Sequence, residues 1–231
     1  MPAKARTDRN ARTDRNAHTR TTILDAAERL FAEHGVHGVS NRQVADAAGQ
    51  GNTAVVGYHF GTKADLVRAI VRRHTTAIER TREEMVEQVA GSDDLRDWLA
   101  CLVRPAFDHL ATLGSPTWYA RFGAQVMTDP ALREILVDES LSSPALLRIL
   151  DGLHACLPSL PPAVFRERGD VARHLLVHVP VERERALADG APTTRATWAD
   201  TATGLVDVLI GVWLAPVTAT PDHPTADQEP V

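Results

Sequence analysis

Apolar positions recur along this chain at intervals of three and four residues, and nowhere alternate with polar ones over the length of a strand, which predicts helices throughout. Ile23, Ala27, Leu30 and Phe31 share one face of a helix from about Ala17 to His34, and Gly35 closes it as a C-cap glycine would. Ser40 and Gln43 form an S-x-x-Q capping box that opens a second helix at Asn41, with Val44, Ala45 and Ala48 on its inner face and Gly49 to turn the chain after it. A third, short helix runs from Asn52 or Thr53 to about Tyr58, burying Val55 and Val56 and leaving Asn52, Thr53, Gly57 and Tyr58 outward. Thr62 and Asp65 form another capping box, and a long helix follows through Leu66, Ala69 and Ile70. From there the pattern predicts helices near 63–90, 93–113, 116–128, 130–156, 162–188 and 193–215, with Asp129-Pro130 and Ser143-Pro144 reading as N-caps followed by proline. The fold class is all-α, with about nine helices.

Two short helices joined by a glycine turn and followed by a third, as Ser40–Leu66 predicts, are the layout of a helix-turn-helix DNA reader. The second helix of such a pair enters the major groove, so its edge has to be thin and polar. The pair taken alone also fits any small bundle. The words AAG, YHFGTK and then Leu66 at these separations resemble the DNA-binding domain of the tetracycline repressor family over about Thr19–His74, with one residue more than the commonest pattern between Gly49 and Tyr58. That resemblance implies a three-helix reading domain followed by a helical ligand-binding and dimerisation domain. It places Arg42 near the groove, Tyr58 and His59 at the end of the recognition helix with donors for phosphate, and Phe60 in the small core. Lys63 sits in the first turn of its helix, a poor place for a cation on dipole grounds, and the resemblance implies a phosphate contact there.

Charge changes the picture in the same direction. The chain of 231 residues carries formal net charge −5, but residues 1–75 hold 12 Lys+Arg against 7 Asp+Glu, leaving 13 against 23 for the rest. A basic first third beside an acidic remainder suits one part that meets phosphate and another that stays off it. Ahead of the first helix, ARTDRN occurs twice in tandem at residues 5–16; the stretch 1–16 is expected to be a disordered basic arm that reaches phosphates or the minor groove, or a dispensable tail. The expected division is therefore arm 1–16, reading domain 17–74, ligand-binding and dimerisation domain 75–217, and a disordered tail 218–231. No apolar run is long enough to span a membrane, and Cys101 and Cys156 stand far apart with no metal spacing, so a reduced, cytoplasmic protein is expected.

The second domain concentrates aromatics where the rest of the chain is poor in them: Trp98, Phe107, Trp118, Tyr119 and Phe122, with His109 nearby. They are the candidate walls of a small-molecule pocket, and equally what an ordinary core contains. Members of the resembled family pair through their last two helices, which points to Leu175 and Val179 on one and Trp198, Leu205, Leu209 and Trp213 on the other; the alternative is a central core helix. His174 and His178 stand one helical turn apart, with Asp170 and Glu182 extending the row, but no cysteine or third histidine is in register, so no metal is expected. There is no glycine-rich phosphate loop after a strand, no G-x-S-x-G and no H-E-x-x-H, so neither an enzyme nor a cofactor is expected. The expected function is a homodimeric repressor on a palindromic operator in double-stranded DNA, released by a small-molecule effector. A constitutive or sequence-tolerant DNA-binding protein without an effector is the alternative.

Overall fold

A computed structural model describes residues 2–141 and 143–218, and the side chains of 13–139 and 143–218. Among the described residues ten helices follow one another: α1 Pro2–His34, α2 Asn41–Ala47, α3 Val55–Phe60, α4 Lys63–Gln88, α5 Leu95–Thr112, α6 Tyr119–Thr128, α7 Pro130–Leu141, α8 Pro144–Cys156, α9 Pro162–Ala188 and α10 Trp198–Leu214. No strand occurs among the described residues.

Local chemistry sets these limits. Both capping boxes form: Ser40 accepts from the Gln43 amide while the Gln43 side chain takes the Ser40 N–H, and Thr62 with Asp65 does the same for α4. Gly49 closes α2 at φ +68, a left-handed conformation that a side chain would strain. The stretch 130–156 is two helices where one was expected, which raises the count from about nine to ten. Ser143 accepts from the Leu146 amide at 3.0 Å and Pro144 cannot supply an N–H, so α8 must begin afresh there. At the other end of the chain α1 begins at Pro2 rather than Ala17, so the stretch expected as a disordered arm continues the first helix; its described side chains up to Thr21 are almost all exposed. The tail from 219 onward lies outside the described residues.

Two hydrophobic cores result. The first joins Ile23, Ala27 and Phe31 of α1 to Val44, Val56 and Phe60 and to Leu66, Ile70 and Val71 of α4, and it also takes in Phe122, Val126, Leu132 and Ile135 from α6 and α7. Phe31 stacks on Phe122 at 6.4 Å, so the head is packed directly onto α6. The second core is built on α5, with Trp98, Leu99, Val103 and Phe107 against α8 and against Trp198, Leu205, Leu209 and Trp213 of α10. Gly152 lets α8 approach α5 closely, since a methyl there would lie 2.3 Å from the Trp98 indole. Helix α4 runs through both cores, contributing Leu66, Val67 and Ile70 to one and Val86 to the other.

Candidate functional site

The outward side of the helix pair is small and polar. Val56 and Phe60 anchor α3 from beneath, whereas Tyr58 is 78% exposed and Gly57 opens onto free space. Asn52 and Thr53 are exposed as well, but they precede α3, which starts at Val55 rather than at 52 or 53. The Asn52 carboxamide oxygen accepts from the Ala54 amide at 2.9 Å, so it shapes the turn that launches the helix. Arg42 projects from the first turn of α2 into solvent, with only a long pairing to Asp46 at 3.8 Å, and a guanidinium so placed is free to move to a phosphate or a base edge.

Lys63 and His59 are more tightly engaged. The Lys63 ammonium donates to the carbonyls of Val36 at 3.1 Å and Val39 at 2.6 Å, which ties the α1–α2 loop to the start of α4. That pairing answers the adverse helix dipole from within the protein, where the sequence suggested an external phosphate. His59 is half-buried, and its carbonyl accepts from Arg20 at 3.0 Å while the Arg20 guanidinium lies over the Phe60 ring at 4.3 Å. Arg20 thus clamps α1 across the end of α3.

Behind the head lies a buried polar chain. Glu28 of α1 accepts from Arg73 and, at 2.8 Å, from His74 Nε2; His74 Nδ1 meets His109 Nε2 of α5 at 2.8 Å, and the His74 ring stacks on Tyr119 of α6 at 4.0 Å. Burial pushes the Glu28 carboxyl up, but the His74 hydrogen bond and the His74 and Arg73 charges outweigh it and leave it below the usual range. Burial, with the neighbouring His74, brings His109 down to about 4. Three helices therefore meet at one hydrogen-bonded set, and α6 joins it through the stacked Tyr119 ring. A second buried carboxylate, Glu184 of α9, accepts from the Ala120 amide, the Arg121 amide and Arg121 Nε, each at 3.0 Å, and so caps the N-terminus of α6. Its carboxyl is raised by burial, against the pull of those donors.

The six candidate pocket residues divide among three surroundings. Trp98 and Phe107 belong to the α5 core, Phe107 edge-on to Trp198 at 6.0 Å; Phe122 and Trp118 lie with the head core; His109 and Tyr119 belong to the polar chain. Nor do the candidate interface residues share an outer face, because Trp198, Leu205, Leu209 and Trp213 are all buried inside the chain itself against α5. The α10 stripe is broad because it is a central core helix. Only Leu175 and Val179 look outward, and they line a groove of about 640 Å³ between α9, α10 and the loop joining them, with His178, Glu182, Gly204 and Val208. Among the described residues no three histidine, cysteine or acidic side chains converge as a metal-binding group, and no helix is long and apolar enough to cross a membrane.

Comparison with known proteins decides what this arrangement belongs to. Residues 23–70 match the family model of bacterial regulatory proteins of the tetR family, and residues 100–211 match that of the tetracyclin repressor-like C-terminal domain. The chain belongs to the tetracycline repressor family. It is 34% identical over 88 residues to the HTH-type transcriptional repressor AcnR of Corynebacterium efficiens, covering 36% of this chain and 46% of that protein. It is 33% identical over 84 residues to the HTH-type transcriptional regulator TtgR of Pseudomonas putida, covering 36% of this chain and 37% of that one. The match thus spans less than half the length of either relative. Among solved structures, a tetR family transcription regulator from Shewanella sp. PV-4 superposes with TM-score 0.54 at 16% identity, over 85% of this chain and 97% of that one. The regulator PfmR from Thermus thermophilus gives 0.50 at 17% identity, over 85% and 96%. At such identities the likeness speaks for the fold alone, and the family is one of regulators rather than enzymes.

Within this tetracycline repressor fold, the residues missed by sequence reasoning are Arg20, Glu28, His74 and Glu184. A signal existed for two of them: Glu28 falls one turn after Leu24 on an apolar face, and His74 one turn after Ile70. A titratable residue on a buried stripe requires a partner, though the stripe does not say which. Arg20 and Glu184 act on backbone groups of distant helices, and no local pattern marks them.

Proposed function

We propose that this chain is a transcriptional repressor of the cytoplasm that binds an inverted-repeat operator as a homodimer and leaves it when a small molecule occupies the body. The observation that carries the reading is the outer edge of the helix pair, where Arg42, Asn52, Thr53, Gly57 and Tyr58 are exposed and unobstructed above a fully packed inner side. Such an edge fits a major groove: the glycine keeps the backbone close to the bases, the guanidinium can read guanine, and the tyrosine hydroxyl can donate to phosphate. His59 and Lys63 act chiefly as supports of that edge. Residues 17–74 form the reading unit, and 75–217 the regulatory unit, with α4 shared between their cores.

Coupling between the units has a physical route. Helix α6 touches α1 through Phe122 and Phe31, stacks Tyr119 on His74 of the Glu28–His74–His109 chain, and is capped by Glu184 from α9. An effector that packs against α4, α5 or α6 and prefers a different placement of α6 will shift both heads together; one that binds both placements equally will shift nothing. Repression is the activity that names the relative AcnR, and here it is part of the proposal.

The test is selection of bound fragments from random duplex DNA by the full chain, beside an Arg42→Ala, Tyr58→Ala variant. Lys63 is left intact because its loss would loosen the head itself. Enrichment of an inverted repeat by the wild type and its loss in the folded variant support the reading. Binding without enrichment, unaffected by the variant, would point to a sequence-tolerant protein.

A further inference from the structure

The outward side of α9 carries a row at one-turn spacing, Asp170, His174, His178 and Glu182. The two imidazoles lie nearly parallel, 15° apart in plane, with ring centroids 6.4 Å apart. Both side chains are exposed, and neither ring has a hydrogen-bond partner among the described residues. Two histidines one helical turn apart are a chelating pair, able to turn both ring nitrogens toward one ion at about 2.0–2.1 Å. A tetrahedral ion needs four ligands, and among the described residues of one chain no group of three converges.

A second copy can supply them. Residues 170 and 185 lie equally far from the midpoint between 177 and 178, as do 173 and 182; antiparallel pairing of α9 with its own copy about that midpoint sets Asp170 against Arg185 and Arg173 against Glu182. The hydrogen-bonded partner of each charge is exposed and three residues away on its own helix, Arg173 to Asp170 at 2.8 Å and Arg185 to Glu182 at 2.9 Å, so exchange across a two-fold costs little. The surface between them is apolar, with Val171 43% and Val208 52% exposed beside Leu175 and Val179. It is also held firmly, because two buried arginines of α9 grip the α10 side: Arg168 donates to the carbonyls of Trp213 and Ala215, and Arg183 to those of Arg195 and Ala196. In that pairing His178 falls within one residue of the two-fold axis, facing its own copy, and His174 follows one turn away.

We infer that His174 and His178 of two copies bind one divalent transition-metal ion of the zinc type at the two-fold axis, so that the metal fastens the homodimer. The inference rests on the homodimer of the proposed function. An isologous interface makes a half-site on one chain into a whole site on two, which is why the row lacks a third ligand when only one chain is considered.

The test uses the untagged full chain, zinc titration by calorimetry, and sedimentation equilibrium in zinc and in EDTA, with His174→Ala, His178→Ala and the double variant alongside. The expected result is one zinc per two chains, loss of binding in each variant, and a dimer dissociation constant at least tenfold lower in zinc for the wild type only. A chain that is dimeric in EDTA but binds no zinc, or binds it equally well in the double variant, overturns the metal site and leaves the homodimer standing. A chain that stays monomeric in both conditions overturns both. Zinc bound one per chain by a monomer overturns the shared site.

Discussion

Two uncovered faces among the described residues are made of opposite materials. On the head, the outward side of α2 and α3 presents Arg42, Asn52, Thr53, Gly57 and Tyr58, small or polar groups over a core sealed by Val44, Val56 and Phe60. On the body, the outward side of α9 and α10 presents Val171, Leu175, Val179 and Val208 beside a groove, interspersed with polar side chains such as His178 and Glu182. An apolar face gains about 25 cal/mol for each Å² it withdraws from water and favours a protein partner. A polar, small-residue edge gains little that way and much from hydrogen-bonding base edges and phosphates. One chain thus carries two surfaces suited to two unlike partners, joined by α4 and α6.

Severing that join should have the largest effect. Glu184→Ala leaves the α6 amides and Arg121 without their carboxylate, and the expected loss is about 3–5 kcal/mol of unfolding free energy, measured by urea titration. A loss under about 1 kcal/mol would remove Glu184 from the coupling route. Next comes Tyr58→Ala, expected to weaken DNA binding on the order of tenfold, as loss of one hydrogen bond to a charged phosphate does, while melting temperature stays unchanged. Ser40→Ala should act the other way, costing about 1 kcal/mol of stability through the lost cap, with DNA affinity reduced only in step with folding. If both variants changed stability and affinity alike, the division between edge and support would be wrong.

The last expected effect is on pH. The unfolded chain protonates His109 near 6.5, whereas the folded chain resists until about 4, because the ring is buried beside His74. The unfolded state therefore binds the extra proton in that window, and stability present above 6.5 is lost as pH falls toward 4. Glu28, held below its ordinary value, adds loss in the same direction at lower pH. Thermal melts from neutral pH down to about 4 should show the decline, and His109→Gln should flatten its upper part.

The head was legible because its signals are local. Two capping boxes, a turn glycine and the YHFGTK word each lie within a few residues, and each appears where the sequence places it, apart from the later start of α3. The body was legible only as helices. Trp198, Leu205, Leu209 and Trp213 form a stripe that suits a partner or a core equally, and only the packing of α5 against it decides for the core. The aromatics from Trp98 to Phe122 were grouped by nearness in sequence, yet α5 and α6 send them to different cores. Lys63 taught the same lesson in the head: its placement against the helix dipole was visible, but its partners, the carbonyls of Val36 and Val39, belong to a loop 24 and 27 residues away.

A structure of the full chain bound to a duplex enriched by selection tests the central claim most directly. The account predicts one α3 per half-site in the major groove, with Gly57 against the bases, Tyr58 on a phosphate, Arg42 within reach of the groove, and Lys63 still bonded to the α1–α2 loop. DNA seated on any other face, with Tyr58 left in solvent, would contradict it.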